Sequence, residues 1–224
     1  MAASGAVSTT VLKSLPVFAD FSQDHLRALV GMVMRRGAPR GTAVMHEGDS
    51  ADSFYIVVSG RLKVLVGEAD GKETILTILG PGECFGEMSL IDDQARSATV
   101  IAIEACELLV IARRDFRRSL VENSDLAMAV MRVLVRRLRE ADRKIGGLAM
   151  LDVYGRVARL LLDMSETVNG QRVVTRRISK LDIAKMIGAS REMVHKVMKD
   201  LQVDGYIEVK GSTIVLRDAN DPQH

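Results

Sequence analysis

The feature that most constrains this chain is a helical stretch at residues 123–150. Val130, Leu134, Leu138, Ala141, Ile145 and Leu148 follow one another at intervals of 4, 4, 3, 4 and 3. That is close to the repeat of a coiled-coil seam, and Arg132, Arg136, Arg139 and Arg143 fall off it. Such a stripe packs either on its own domain or on a second copy. A stripe of about three heptads beside a compact domain favours a homodimer. Asn123 or Ser124 can cap the start of this helix. Gly146 and Gly147 weaken its end, and Asp152 is placed to cap a further helix over residues 153–165.

The part before the long helix reads as strands. Residues 53–58, 62–66, 74–79, 99–103 and 108–111 are short runs rich in β-branched side chains, divided by turn residues at 47–49, 59–60, 70–71 and 80–82. Many short strands at close spacing predict a sandwich or barrel-like roll. Ahead of them, residues 24–34 have helical spacing, with Leu26, Leu29, Val30 and Val33 on one face.

The part after it reads as a helix pair joined by a tight turn, over about 179–187 and 190–203. Ser179 caps the first helix, with Asp182 three residues on in the manner of a capping box. Ala184 is small where the helices approach, Gly188 suits a turn with positive φ, and Ile183, Ile187, Val194 and Val197 form a small core. A strand pair at 207–210 and 213–216, turned at Gly211 and Ser212, completes a winged module. Arg191, Glu192, His195, Lys196 and Lys199 lie on the open face of the second helix. Arg can donate two bonds to guanine, and Glu can accept from cytosine.

Charge supports that division. The chain of 224 residues has a formal net charge of only +2, but residues 1–124 carry −3, residues 125–170 carry +2, residues 171–217 carry +5 and the last seven carry −2. The local +5, together with the helix pair and hairpin, points to double-stranded DNA as a partner. With 47% hydrophobic and 27% charged residues, wholesale disorder is excluded. Cys84 and Cys106 are too few for a disulfide framework and are expected as buried thiols. His25, His46, His195 and His224 have no metal-binding spacing, so no metal is expected. Residues 1–10 do not read as a signal peptide and no run reaches a membrane span, so a soluble cytoplasmic protein without a membrane partner is expected.

One polar constellation stands out in the first half, at residues 82–90 and 96–98. Gly86 permits close approach of a ligand to the backbone. A short helical turn there would offer N–H groups to an anion. Arg96 supplies a fork for phosphate oxygens, and Ser97 adds a hydroxyl. Glu87 would repel phosphate, so it fits a neighbouring donor such as a ribose hydroxyl. Phosphate plus sugar is one coherent ligand; a Glu–Arg ion pair that staples the loop is the other reading.

Phe85-Gly86-Glu87, Arg96-Ser97-Ala98, the long helix, residues 148–152 (LAMLD) and Ser190-Arg191-Glu192 together resemble the cyclic AMP receptor branch of the CRP/FNR transcription regulators, over about residues 15–217. The resemblance implies an α+β chain: a cyclic-nucleotide-binding antiparallel β-roll (jelly-roll-like) over 1–122, a dimerisation helix over 123–150 and a winged helix-turn-helix over 151–224. By it, Gly86, Glu87, Arg96 and Ser97 hold the sugar-phosphate of a cyclic nucleotide, with Met88 and Ala98 beside them. Arg191, Glu192 and Lys196 fall on base-reading positions of a TGTGA-like palindromic operator, and Ser179, Lys180, Ser190, His195, Lys199 and Ser212 complete the DNA-contacting set. RNA polymerase is the further partner implied, although the loop at 165–171 is shorter than its counterpart in the cyclic AMP receptor.

Two departures matter. Lys196 stands where that branch has Arg. Ala141 and Asp142 stand where it has a Thr-Ser pair that reads adenine. Ala141 makes no hydrogen bond to a base, and an ionised Asp142 only accepts, which suits the donor edge of guanine or, alternatively, adenine N6. Cyclic AMP is the expected effector, with cyclic-di-GMP, or DNA binding without ligand, as alternatives. The cysteine count disfavours an iron–sulfur sensor, and the histidines suggest no haem. A nucleotide-binding module of a kinase or channel, and a cupin-like enzyme, are the competing classes; the winged segment argues against the first and the scattered histidines against the second.

Overall fold

The computed structural model describes residues 7–67, 71–175 and 178–217 and divides into two compact units, Met1–Leu138 and Arg139–His224. The acidic last seven residues with His224, and Asp70 of one expected turn, lie outside the described residues.

In the first unit β1 (Val33–Ala38), β8 (Cys106–Ala112), β3 (Ser53–Ser59) and β6 (Cys84–Phe85) form one antiparallel sheet in that order. A second sheet has the order β2 (Ala43–Met45), β7 (Thr99–Ala102), β4 (Leu62–Gly67) and β5 (Glu73–Leu79). The interior of the roll is filled by Tyr55, Val57, Leu62, Leu79, Phe85, Val100, Leu108 and Val110. The alternate residues Phe54, Ile56, Leu109 and Ile111 point the other way, into a core shared with helices α1 (Thr9–Lys13), α2 (Gln23–Val30), α4 (Arg113–Glu122) and the start of α5 (Ser124–Met150). Strands β3 and β8 are thus covered on both faces, which is why they read as unbroken apolar runs. All five expected strands are present within a residue or two.

One boundary and the burial of one helical stripe differ from expectation. Helix α2 stops at Val30 and Val33 opens β1, because pairing with β8 (Val33↔Ile111 to Ala38↔Cys106) overrides the helical spacing. The long helix begins at Ser124 as expected, with Asn123 Oδ1 accepting from the Leu126 N–H at 3.1 Å. Its apolar seam is divided, however. Val130 is buried and Leu134 half-buried in the core of their own unit, alongside Leu126, Ala129 and Val133. The open face carries Met128, Met131, Val135 and Leu138 instead. A helix with two apolar stripes satisfies a periodicity search on either one, so spacing alone did not choose the inward stripe. His25 Nδ1, 2.6 Å from Asp125 Oδ2, ties α2 to the first turn of α5, and that bond holds the Asp125 carboxyl below the usual range.

The second unit packs α6 (Val153–Met164), α7 (Lys180–Ile187) and α8 (Arg191–Val203) around Val157, Leu161, Ile183, Ile187, Val194 and Leu201. Asp152 caps α6, its Oδ1 accepting from the Gly155 N–H at 2.8 Å. A four-stranded sheet, β11 (Ile207–Lys210), β12 (Thr213–Leu216), β10 (Gln171–Val174) and β9 (Glu166–Val168), covers the core. The expected loop at 165–171 is in fact a hairpin of β9 and β10, turned at Asn169 (φ 50°) and Gly170 (φ 79°). Asn-Gly is a preferred hairpin turn because both residues tolerate positive φ.

Phe54 and Phe116 stack at 4.5 Å, fully buried between sheet and α4. Phe116→Ala should cost about 3–5 kcal/mol. Urea unfolding checks this, and a loss under about 1 kcal/mol would mean that this layer is not a packed core.

Candidate functional site

Strand β6 ends at Phe85 and is followed by Gly86, whose φ of +84° only glycine adopts freely. A Cβ there would stand 2.8 Å from Arg96 Nη1 and 3.1 Å from the Ser53 carbonyl. The chain then turns through Glu87 into α3 (Met88–Ile91), a single turn that starts two residues later than expected.

Arg96 is buried and its guanidinium is turned inward. Nη1 donates to the Gly86 carbonyl at 2.8 Å, and Nη2 donates to the Ser53 carbonyl at 2.6 Å and to Asp52 Oδ1 at 3.1 Å. Its Cζ lies 5.8 Å from the centroid of the Tyr55 ring, which stacks on Phe85 at 4.9 Å. Arg96 therefore fixes the backbone of the cradle around Gly86. Ser97 and Met88 are exposed at its edge, with Ser97 Oγ 4.0 Å from Met88 Sδ, and Ala98 is buried.

Glu87 is only 1% exposed, and its ion-pair partner is Arg137, not Arg96. Arg137 of α5 donates through Nη1 to Glu87 Oε1 and through Nη2 to the Cys84 carbonyl. The second oxygen, Glu87 Oε2, is buried and has no hydrogen-bond partner among the described residues. A buried carboxylate oxygen without a donor is costly, so this is an acceptor position suited to a donor that the described residues do not supply. Arg137 was missed in the sequence because it stands in a run of arginines that reads as a solvated face. Ala141 and Asp142 are exposed on the part of α5 that belongs to the second unit.

In the second unit Ser179 Oγ accepts from the Asp182 N–H at 3.0 Å and lies 2.6 Å from Asp182 Oδ2. Gly188 closes α7 in the left-handed conformation at φ 64°. Ser190 Oγ accepts from the Met193 N–H at 3.1 Å and starts α8. Val194, Val197 and Met198 turn inward, leaving Arg191, Glu192, His195, Lys196 and Lys199 exposed along the outer face. Lys180 Nζ, at the start of α7, lies 2.6 Å from His195 Nδ1. A cleft of about 300 Å³ opens beside this pair, lined by Lys180, His195, Lys199, Gln202, Gly211 and Ser212 among others. The expected DNA-contacting residues are thus brought to one side of α8 and the wing, apart from the caps Ser179 and Ser190, whose hydroxyls are bonded to their own helices.

Among the described residues no helix is long and apolar enough to cross a membrane, and no three His, Cys, Asp or Glu side chains are grouped to hold a metal ion.

A roll with a polar cradle, followed by a winged helix pair, defines a sensor domain joined to a DNA-reading domain. A family model of the cyclic nucleotide-binding domain matches residues 35–123, and one of the Crp-like helix-turn-helix domain matches 155–221. The chain is 31% identical over 213 residues to the CRP-like cAMP-activated global transcriptional regulator of Mycobacterium tuberculosis, covering 93% of this chain and 95% of that one. It is 34% identical to the cAMP-activated global transcriptional regulator Vfr of Pseudomonas aeruginosa, covering 86% of this chain and 93% of that one. Among solved structures it is similar to the c-di-GMP responsive global regulator CLP of Xanthomonas campestris, with a TM-score of 0.75, 30% identity, and 88% and 100% of the two chains covered. The chain belongs to the CRP/FNR family of transcription regulators.

Both cysteines are free and buried, as expected. Burial, reinforced by the neighbouring Glu87 carboxylate, pushes the Cys84 thiol up to about 12. A raised pKa keeps the thiol protonated as pH rises, so Cys84 should resist iodoacetamide in the native protein at pH 9 and react once the chain is unfolded in urea. Mass spectrometry reads the difference, and rapid native labelling at Cys84 would contradict the buried cradle wall.

Proposed function

We propose that this chain acts as a homodimer that binds palindromic promoter DNA under the control of a cyclic nucleotide, with cyclic AMP as the favoured effector. The observation that carries this reading is the buried, half-paired carboxylate of Glu87 beside Gly86. Oε1 is taken by Arg137, and Oε2 is free for a ribose hydroxyl. Arg96 and Ser97 then serve the phosphate. Arg96 reaches it by exchanging part of its inward bonding, and the exposed Ser97 by its hydroxyl and N–H. Met88 and Ala98 complete the wall.

The cyclic AMP preference is supported by the names of the relatives from M. tuberculosis and P. aeruginosa. A second reading, cyclic-di-GMP, is supported by two separate observations. Asp142 is an acceptor where the family reads the base, and the similar X. campestris regulator responds to cyclic-di-GMP. Isothermal titration against cyclic AMP, cyclic GMP and cyclic-di-GMP separates them. Saturable binding of cyclic AMP with at least about tenfold preference is expected. Preference for cyclic-di-GMP would favour the second reading, and no heat with any of the three would remove the effector from the account.

Dimerisation would use the exposed stripe Met128, Met131, Val135 and Leu138, spaced 3, 4 and 3 as a seam requires. Two recognition helices about 34 Å apart would then enter successive major grooves. Arg191 and Glu192 read bases, and Lys196 contributes a single ammonium rather than a fork. RNA polymerase is the proposed further partner, with the exposed β9–β10 hairpin as a candidate contact. Ligand, DNA and dimer are coupled only if each prefers the same dimer state. Arg191→Ala or Glu192→Ala should each lose about 1–3 kcal/mol of discrimination between operator and altered half-sites. Anisotropy titrations check this, and equal losses on random DNA would make these residues phosphate contacts instead.

A further inference from the structure

His195 stands on α8 one turn after Arg191, and its ring is not aimed solely at open solvent. Its Nδ1 lies 2.6 Å from Lys180 Nζ, and both groups line the cleft with Lys199, Gln202, Gly211 and Ser212. An ammonium carries only donors, so this contact requires Nδ1 to be an acceptor. A neutral ring with its proton on Nε2 can accept in this way, and a protonated ring cannot. Ile178, Ile183, Met198, Val209 and Ile214 form an apolar floor, while Lys180, His195 and Lys199 are cationic or can become so and Ser212 offers a hydroxyl. The polar side of the cleft has the chemistry of an anion seat.

The charged groups around the ring lie on α7, α8 and the wing. On α7 the neighbouring Asp182 is engaged by Ser179. On the wing, Glu208 is bonded by Lys210 and Arg217. On α8 the flanking groups are Arg191, Glu192, Lys196 and Lys199. Helix α6 packs on the opposite, apolar side of α8 through Val157 and Leu161, with its Arg159 paired to Asp163.

We propose that this cleft seats one backbone phosphate of the bound DNA and that the Lys180–His195 pair makes the seat proton-dependent. The inference rests on the DNA-binding reading above and specifies how that surface is regulated. With neutral His195, Lys180 is partly spent on Nδ1. Protonation turns Nδ1 into a donor, breaks the contact, releases Lys180 toward the phosphate and adds a second positive charge beside it. Because the phosphate favours the protonated ring, DNA affinity rises as pH falls. Histidine is the side chain that changes charge between pH 5 and 8.

The test is fluorescence anisotropy of the full chain with DNA at constant ionic strength, at pH 8.0 and 6.0, with cyclic AMP present and absent. The wild type should bind about 3–5-fold tighter at pH 6.0, equally on a TGTGA-type palindrome and on random duplex, because phosphate contacts carry no sequence. The slope of log affinity against log salt should steepen by about one at the lower pH. His195→Gln should remove the rise, binding at both pH values no tighter than the wild type at pH 8.0. A rise that survives in His195→Gln, or no rise in the wild type, overturns the proposal. A rise confined to the palindrome makes His195 a base reader and overturns the phosphate seat. No DNA binding at either pH, with or without the nucleotide, overturns the DNA-binding reading itself and the seat with it.

Discussion

The arrangement of the first unit depends on one ion pair. Glu87 sits at the end of a two-residue strand with 1% of its surface exposed, and it is held there by Arg137 from a helix that begins far along the chain. Burying a carboxylate costs several kcal/mol unless it is paired, and removing one partner of such a pair typically costs about 3–5 kcal/mol. Arg137 also binds the Cys84 carbonyl, so a single guanidinium fixes both the acidic group and the strand that presents it. The pair is incomplete by one oxygen. That incompleteness gives the cradle a polarity which a fully satisfied ion pair would lack.

Beside this pair a second arginine, itself buried, shapes the cradle. Arg96 binds three oxygens of the cradle, two of them backbone carbonyls, and shapes it. Gly86 is there because any side chain would collide with that guanidinium. Helix α5 carries a stripe in the core of its own unit and a second apolar stripe left open, and Arg137 belongs to neither. One helix thus closes the roll, braces the acidic group and presents an unpaired seam.

Much of this was legible in the sequence. The strands β3 and β8 declared themselves by continuous apolar runs, and the helix pair by Ser179, Ala184, Gly188 and Ser190, because local chemistry determines caps and turns. What was not legible came from distant partners. Val33 and Met34 read as the end of a helix because only the pairing of β1 with β8 makes them strand. Val130 and Leu134 were placed on the wrong stripe because spacing is blind to which side meets the sheet. Glu87 and Arg96 stand out in the sequence as one polar constellation, but the partner of Glu87 is fifty residues away in an arginine-rich run. The Asn169-Gly170 hairpin was readable and was passed over as a loop.

The central claim is that Glu87 Oε2 awaits a sugar hydroxyl. The most direct measurement compares cyclic AMP with its 2′-deoxy analogue by isothermal titration against the same protein. A hydrogen bond to a buried charged group is worth about 1.5–3 kcal/mol, so the deoxy analogue should bind roughly 10–100-fold more weakly. Equal affinities would contradict the account and leave the Glu87–Arg137 pair as a structural clamp alone.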